Sequence, residues 1–262
     1  MINYSALIRQ LKGKRVPRPN RIENGTLSGH AAGEPFEKET YRILKKTYLC
    51  EIFKQHEFLN DLFLRNTRSI TIEQKHKLFD SPTAFFLLSR SDAATKKWSE
   101  NNLFEEKQND TADILYIKDG FYNIIDVKTR NVNKNAQPPN IISAFKLAQM
   151  CAYMIDNDDY LTVNIDYIQI DWCEQSKHDY LECVNAYHAN LFKVDPNSLY
   201  INWAAAMQIQ FHVNEVDQTF IGTKKEWCYL YIKHFVASAN MRISNMREKF
   251  IKPFIKYIHN NL

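Results

Sequence analysis

The chain has 262 residues, with 34 basic against 30 acidic side chains, a formal net charge of +4 and 45% hydrophobic residues. Six Gly, eight Pro and five Cys exclude collagen-like, low-complexity and disulfide-framework architectures and leave a globular protein long enough to bury a substantial core. The cysteines are odd in number and form no CxxC pair, no apolar run reaches the roughly 18 to 20 residues of a membrane span, and Met1 to Arg15 carry no signal-peptide pattern, so the expected location is cytoplasmic.

The small net charge hides an uneven layout. Met1 to Ile22 hold six basic residues and no acidic one, expected as a basic N-terminal arm over about 9–21. A helical pattern opens at Gly33-Glu34-Pro35 and continues through Phe36, Thr40, Ile43 and Leu44, with Glu34 and Glu37 favouring the helix dipole near its start. Tyr48 to Trp98 reads as mainly helical, with a helix start at Ser81-Pro82. Between Ala112 and Thr129 the period changes to that of strands.

A polar stretch from Arg130 to Pro139 leads to Asn140, which reads as the N-cap of an amphipathic helix through Phe145, Leu147, Met150 and Met154. The acidic run Asp156 to Asp159 is expected to be a solvated loop. Leu161 to Trp172 reads as a strand with Val163 and Ile165 on one face and Ile168, Ile170 and Trp172 on the other. Met207, Ile209, Phe211 and Val213 alternate with polar residues in a further strand. Thr223 and Glu226 form a capping box that starts a long helix over about 224–252, where Pro253 stops or kinks it. The layout predicts one mixed α/β domain over residues 1–262.

One constellation carries chemistry. Asp113 to Ile117 and Tyr122 to Asp126 flank Asp119-Gly120, a hairpin signal. With those two as turn residues, Lys118 pairs with Phe121, and counting outward sets Asp113 opposite Asp126 with Cβ atoms about 5 Å apart. Like charges in that position repel and call for a cation. Lys128, two residues beyond Asp126, shares its face. Oxygen ligands with positions left for water and phosphate suit Mg²⁺. Glu73-Gln74-Lys75 and Glu105-Glu106-Lys107 also fit the loose ExK half of the pattern, but neither ends an apolar strand.

Downstream, Arg130 to Asn140 is nearly all hydrogen-bonding side chains. Asn and Gln match adenine edges, and Arg and Lys match guanine or phosphate, so Arg130 is a candidate DNA contact, with a plain polar loop as the competing reading. Asn202 shares a face with Tyr200 if the segment is a strand, although a capping role explains an Asn there equally well. The eight histidines show no ligand spacing, and neither a Gly-rich cofactor loop after a strand nor a GxxxxGK[ST] motif for a nucleotide cofactor is present.

Asp113 followed by Asp126-Val127-Lys128 resembles the PD-(D/E)xK nuclease core, although Ala112 stands where that signature often has Pro. Longer runs (Gly25 to Glu37, Leu103 to Asp113, Asp126 to Asn131 and Leu199 to Phe211) resemble the HincII/HindII type II restriction endonucleases. This resemblance implies a restriction-endonuclease-like core with a central mixed β-sheet flanked by helices. It further implies a homodimer acting on double-stranded DNA, with Mg²⁺-dependent cutting of GTYRAC to blunt ends. By the same resemblance Asp113, Asp126 and the Val127 carbonyl would hold the metal, and Lys128 would position or activate the attacking water. Asn140 would contact bases, Gln137 would wedge at the minor groove, and Tyr200 and Asn202 would make further base or groove contacts. Two alternatives remain open: a repair or recombination nuclease of the same superfamily without fixed specificity, and a DNA-binding protein that has kept the scaffold without the activity.

Overall fold

The computed structural model describes residues 1–19, 22–23, 26–27, 29–63, 78, 80–88, 111–135, 137–174 and 179–259. The runs Gly25 to Ser28 and Leu103 to Asp110 lie wholly or partly outside these, as do the two ExK decoys and much of the segment from Tyr48 to Trp98. In chain order the helices are α1 (Tyr4–Leu11), α2 (Gly29–Thr47), α3 (Gln55–Phe63), α4 (Pro82–Leu88), α5 (Ala144–Asp156), α6 (Lys224–Met246) and α7 (Lys252–His259), with a π-helical turn at Arg247–Ile251 between the last two. The strands are β1 (Arg15–Pro17), β2 (Ile22–Glu23), β3 (Thr26–Leu27), β4 (Ile52–Phe53), β5 (Ile114–Lys118), β6 (Phe121–Asn131), β7 (Asn140–Ser143), β8 (Val163–Glu174), β9 (Tyr180–Asn190), β10 (Ile201–Asn202) and β11 (Gln208–Gln210).

Among the described residues the main sheet has the order β1-β9-β8-β6-β5-β4, with β6 and β8 parallel and the other neighbours antiparallel. It is the expected mixed sheet flanked by helices. Both faces of its central strands are buried, because side chains alternate across a strand. Leu115, Ile117, Tyr122, Ile124, Val163 and Ile165 pack on the side of α4, α5 and α6. Ile114, Tyr116, Ile125, Ile168, Ile170 and Trp172 pack on the side of α1 and α2. The two-faced reading of the strand ending at Trp172 therefore holds.

Several local expectations differ. The described part of the basic segment 9–21 is folded rather than a projecting arm: Leu7 and Leu11 of α1 and Val16 of β1 are buried, β1 pairs with β9, and Arg15 reaches Glu182 at 3.3 Å. Pro35 lies inside α2, which begins at Gly29. The helix tolerates the missing N–H because Phe36, Ile43 and Leu44 anchor it against the sheet. Asn140 does not cap a helix. It opens β7, and Ser143 is the N-cap, accepting from the Lys146 N–H at 3.3 Å.

The strand expected through Val213 ends at Gln210, after left-handed Ala206 and Met207, yet Val213 remains buried and Phe211 meets Tyr167 edge-on. The alternation there reports burial, not strand pairing. The capping box at Thr223 and Glu226 is formed. Its helix continues past Lys252, because the wider π-turn shifts the carbonyls that Pro253 would otherwise meet.

The acidic run has a structural use. Asp159 accepts from the Thr83 N–H at 3.2 Å and the Ser81 hydroxyl at 3.1 Å at the start of α4, and from the Thr162 hydroxyl. Asp159→Ala is expected to lower stability by about 1–2 kcal/mol, the range for a lost helix cap, measured by urea unfolding.

Candidate active site and DNA-reading surface

The hairpin forms in the register that its turn chemistry dictates. Asp119 and Gly120 both have positive φ, at 52° and 80°, as a type I′ turn requires, and Lys118 pairs with Phe121 through to Ile114 with Ile125. One further step outward places Asp113 across from Asp126. The chain before Asp113 is pinned by buried Gln55 of α3, whose Oε1 accepts from the Ala112 N–H at 2.8 Å and whose Nε2 donates to the Leu88 carbonyl at 3.3 Å.

The Asp126 charge acts on the Asp113 carboxyl, whose Oδ2 accepts from the Val127 N–H at 2.7 Å. Lys128 Nζ lies 2.7 Å from Asp126 Oδ2. Burial first, then the Asp126 charge, pushes the Asp113 carboxyl well above the ordinary carboxylate range. Burial alone would lower the Lys128 ammonium, but Asp126, Asp113 and Glu37 together outweigh it and raise it. Two adjacent carboxylates form a hard-oxygen donor set that fits a divalent cation, and one or two carboxylates are what Mg²⁺ usually takes from protein. The like-charge contact is the physical observation behind this fit. Among the described residues no group of three or more His, Cys, Asp or Glu could hold a metal, so the remaining ligands would be carbonyl and water.

Glu37 is a residue whose place sequence reasoning missed. Read as a helix-start residue, it lies well inside α2, where its charge acts on Asp113 and Lys128 and its carboxylate is 3.8 Å from Lys54. The signal was masked by Pro35, which suggested a helix start in the wrong place.

Beyond the carboxylates β6 runs on to Arg130 and Asn131 and turns into an open cleft of about 730 Å³, lined by Arg130, Lys134, Gln137, Pro138, His212 and Glu215. Gln137 and Asn140 are exposed, as expected of residues that meet a ligand. Arg130 is held by Asp171, at 3.0 Å from Nε and 2.5 Å from Nη2, and by exposed Glu215 at 3.3 Å. Asp171 in turn accepts from Gln169 at 2.8 Å, and Gln169 Oε1 accepts from the Val213 N–H at 2.8 Å.

A second sheet, in the order β10-β11-β7, presents a chain of amides. Asn202 Nδ2 donates to Gln210 Oε1 at 2.9 Å, and Gln210 Nε2 donates to Asn140 Oδ1 at 2.8 Å. Asn202 Oδ1 also accepts from the Ala204 and Ala205 N–H groups, so the capping role considered for it is present alongside its place on this surface. Tyr200, just before β10, is 63% exposed. Gln210 was not singled out from sequence, although its alternation with Ile209 could have marked it.

A family model described as "Restriction endonuclease HincII" matches residues 7–258. The type II restriction enzyme HindII of Haemophilus influenzae strain Rd is 58% identical over 248 residues, 95% of this chain and 94% of that protein. The type II restriction enzyme HincII of Haemophilus influenzae is likewise 58% identical over the same shares. A solved NlaIV restriction endonuclease aligns with a TM-score of 0.42 at 10% identity, over 98% of this chain and 90% of that one.

Relieving the carboxylate repulsion should stabilise the metal-free protein. Asp113→Asn keeps an acceptor for the Val127 N–H and removes one like charge, so its melting temperature in EDTA is expected to exceed that of the wild type, by about 1 kcal/mol in stability, while DNA cleavage is lost.

Proposed function

Because this chain belongs to the HincII restriction endonuclease family, we propose that it cuts both strands of GTYRAC to blunt ends, as a homodimer that uses Mg²⁺. It is a type II site-specific deoxyribonuclease acting on double-stranded DNA, and restriction endonucleases typically need a divalent metal. No helix among the described residues is long and apolar enough to cross a membrane. The observation that carries the proposed chemistry is the in-register contact of Asp113 with Asp126, with Lys128 beside it, at the end of a strand that leads into the polar cleft.

In phosphodiester hydrolysis a water oxygen bonds to phosphorus and the bond from phosphorus to the 3′ oxygen breaks. The products are a 5′-phosphate and a 3′-hydroxyl, the latter after the leaving oxygen takes a proton. Bound Mg²⁺ supplies charge neutralisation at the phosphoryl oxygens. Asp113, Asp126 and the Val127 carbonyl would hold it. The Val127 N–H fixes the orientation of the Asp113 carboxyl. Lys128, held against Asp126, positions or activates the water and adds a positive charge where negative charge develops.

Recognition falls to the adjoining surface. Asn140 and Asn202 carry amide edges suited to bases, ordered through Gln210, with Tyr200 beside them. Gln137 is the wedge at the minor groove, where the degenerate central step is read by its deformability. For Arg130, the buried Asp171 keeps one side of the guanidinium, and the exposed Glu215 is the partner that a phosphate or guanine can displace.

The test is digestion of a sequenced plasmid with Mg²⁺ and with EDTA, followed by sequencing of the fragment ends. Discrete blunt cuts at GTYRAC with Mg²⁺, none with EDTA, and none with Asp126→Ala are expected, with that variant still binding the duplex in Ca²⁺. A smear would replace this reading with a nuclease of no fixed specificity, and cutting by Asp126→Ala would remove the metal assignment. For Gln137→Ala, cleavage rates on duplexes with varied central dinucleotides should lose part of their spread while overall affinity changes little. An unaltered pattern of rates would refute the wedge.

A further inference from the structure

The amide chain of the second sheet runs in one direction only. A side-chain amide accepts at its oxygen and donates at its nitrogen, so its two ends are not interchangeable. Asn202 Oδ1 accepts from the Ala204 N–H at 3.0 Å and from the Ala205 N–H at 3.1 Å. Backbone N–H groups only donate, which fixes the oxygen of Asn202 on that side and its nitrogen on the other. Asn202 Nδ2 then needs an acceptor, and it meets Gln210 Oε1 at 2.9 Å. The Gln210 amide is thereby oriented as well, with Nε2 donating to Asn140 Oδ1 at 2.8 Å.

The direction originates in the backbone of one tight turn. Between β10 and β11 the Ala205 N–H donates to the Asn202 carbonyl at 3.2 Å, the Gln208 N–H donates to the Ala205 carbonyl at 3.1 Å, and Ala206 and Met207 take left-handed φ values of 51° and 56°. This turn aims two N–H groups at the Asn202 side chain. Gln210 is anchored by its own N–H on the Tyr200 carbonyl at 3.2 Å and by the buried Ile209 before it. Regular pairing from Ile209 and Ile142 onward would set Gln210 against Ile141, but the register shifts there and sets it against Asn140.

We propose that Gln210 is a specificity-determining positioning residue: it relays the polarity of that turn to Asn140 and makes Asn140 a hydrogen-bond donor toward the bases. The inference rests on the reading of Asn140 as a base contact and says which edge it offers. Asn140 is exposed, its oxygen is engaged by Gln210, and among the described residues nothing accepts from its Nδ2. The customary pairing of Asn with adenine needs the oxygen free to accept from the N6 amine while the nitrogen donates to N7. With Oδ1 held by Gln210, Asn140 suits instead a base atom that only accepts, such as a purine ring nitrogen.

Gln210→Glu has nearly the shape of the native side chain and inverts the relay. A carboxylate still accepts from Asn202 Nδ2 but has nothing to donate to Asn140. Asn140 satisfies it by turning its Nδ2 inward, which leaves Oδ1 facing the DNA. The added negative charge weakens binding to every duplex alike, so the quantity that reports the relay is a ratio of rates between duplexes. Gln210→Met removes donor and acceptor together and leaves Asn140 with no set direction.

The test measures kcat/KM on duplexes of the site that the plasmid digest identifies, with each purine replaced in turn by its 7-deaza or 3-deaza analogue, which lack N7 and N3. In the wild type at least one replacement is expected to cost about tenfold, the worth of one hydrogen bond to a base, and Asn140→Ala should erase that same penalty. In Gln210→Glu the penalty should fall to about twofold or less, and in Gln210→Met to an intermediate value. A penalty that depends on Asn140 but is undiminished in both Gln210 variants would overturn the relay and leave Asn140 as a base contact. A penalty that Asn140→Ala does not alter would overturn that contact and the relay with it. No penalty at any purine in the wild type would overturn the donor edge.

Discussion

The structure turns on two carboxylates held against each other at the end of a hairpin. Asp113 and Asp126 are brought together by the backbone, because the Asp119-Gly120 turn sets the register and every pair from Lys118 and Phe121 outward follows from it. Their repulsion is opposed by the Lys128 ammonium and by the Val127 N–H, and it pushes the buried Asp113 carboxyl above the ordinary carboxylate range. Such an arrangement costs stability in the absence of a cation. It persists because β6 is hydrogen-bonded on both sides and buried on both faces of its first half, so the strand cannot slip to relieve the contact.

The same strand carries the site to the polar cleft. Past Lys128 it reaches Arg130, whose guanidinium is locked to Asp171 on β8, and Asp171 is locked through Gln169 to the Val213 backbone. Asp171 and Gln169 are buried and fully engaged, so this polar network joins the two parallel strands to the turn after β11 as one rigid unit. The amide chain from Asn202 through Gln210 to Asn140 grows from the far side of that turn. The amide chain is therefore connected to the strand that carries Asp126 and Lys128 by a short path of hydrogen bonds.

How much was legible beforehand depended on how local each signal was. The hairpin, the opposition of Asp113 and Asp126, the two faces of β8 and the capping box at Thr223 all follow from residues within a few positions of one another. The errors arose where distant packing overrode a local preference. Pro35 suggests a helix start, but Phe36, Ile43 and Leu44 hold α2 against the sheet and let it begin at Gly29. Asn140 is a good cap in isolation, but pairing with Gln210 makes it a strand residue. Alternation from Met207 to Val213 continues past the strand because Phe211 and Val213 still face the core.

The sequence by itself determined the chemistry: three charged side chains on one face of a hairpin, a polar segment immediately after them, and runs of residues long enough to mark the family. Turn geometry and the two-residue period of a strand are enough for that, since neither depends on the rest of the chain. Tertiary structure alone decided that Glu37 acts on Asp113 and Lys128, that Arg130 is shared between Asp171 and Glu215, and that Gln210 links Asn140 to Asn202. These relations join residues tens of positions apart, and such contacts exist only after the helices and both sheets have packed around a common core.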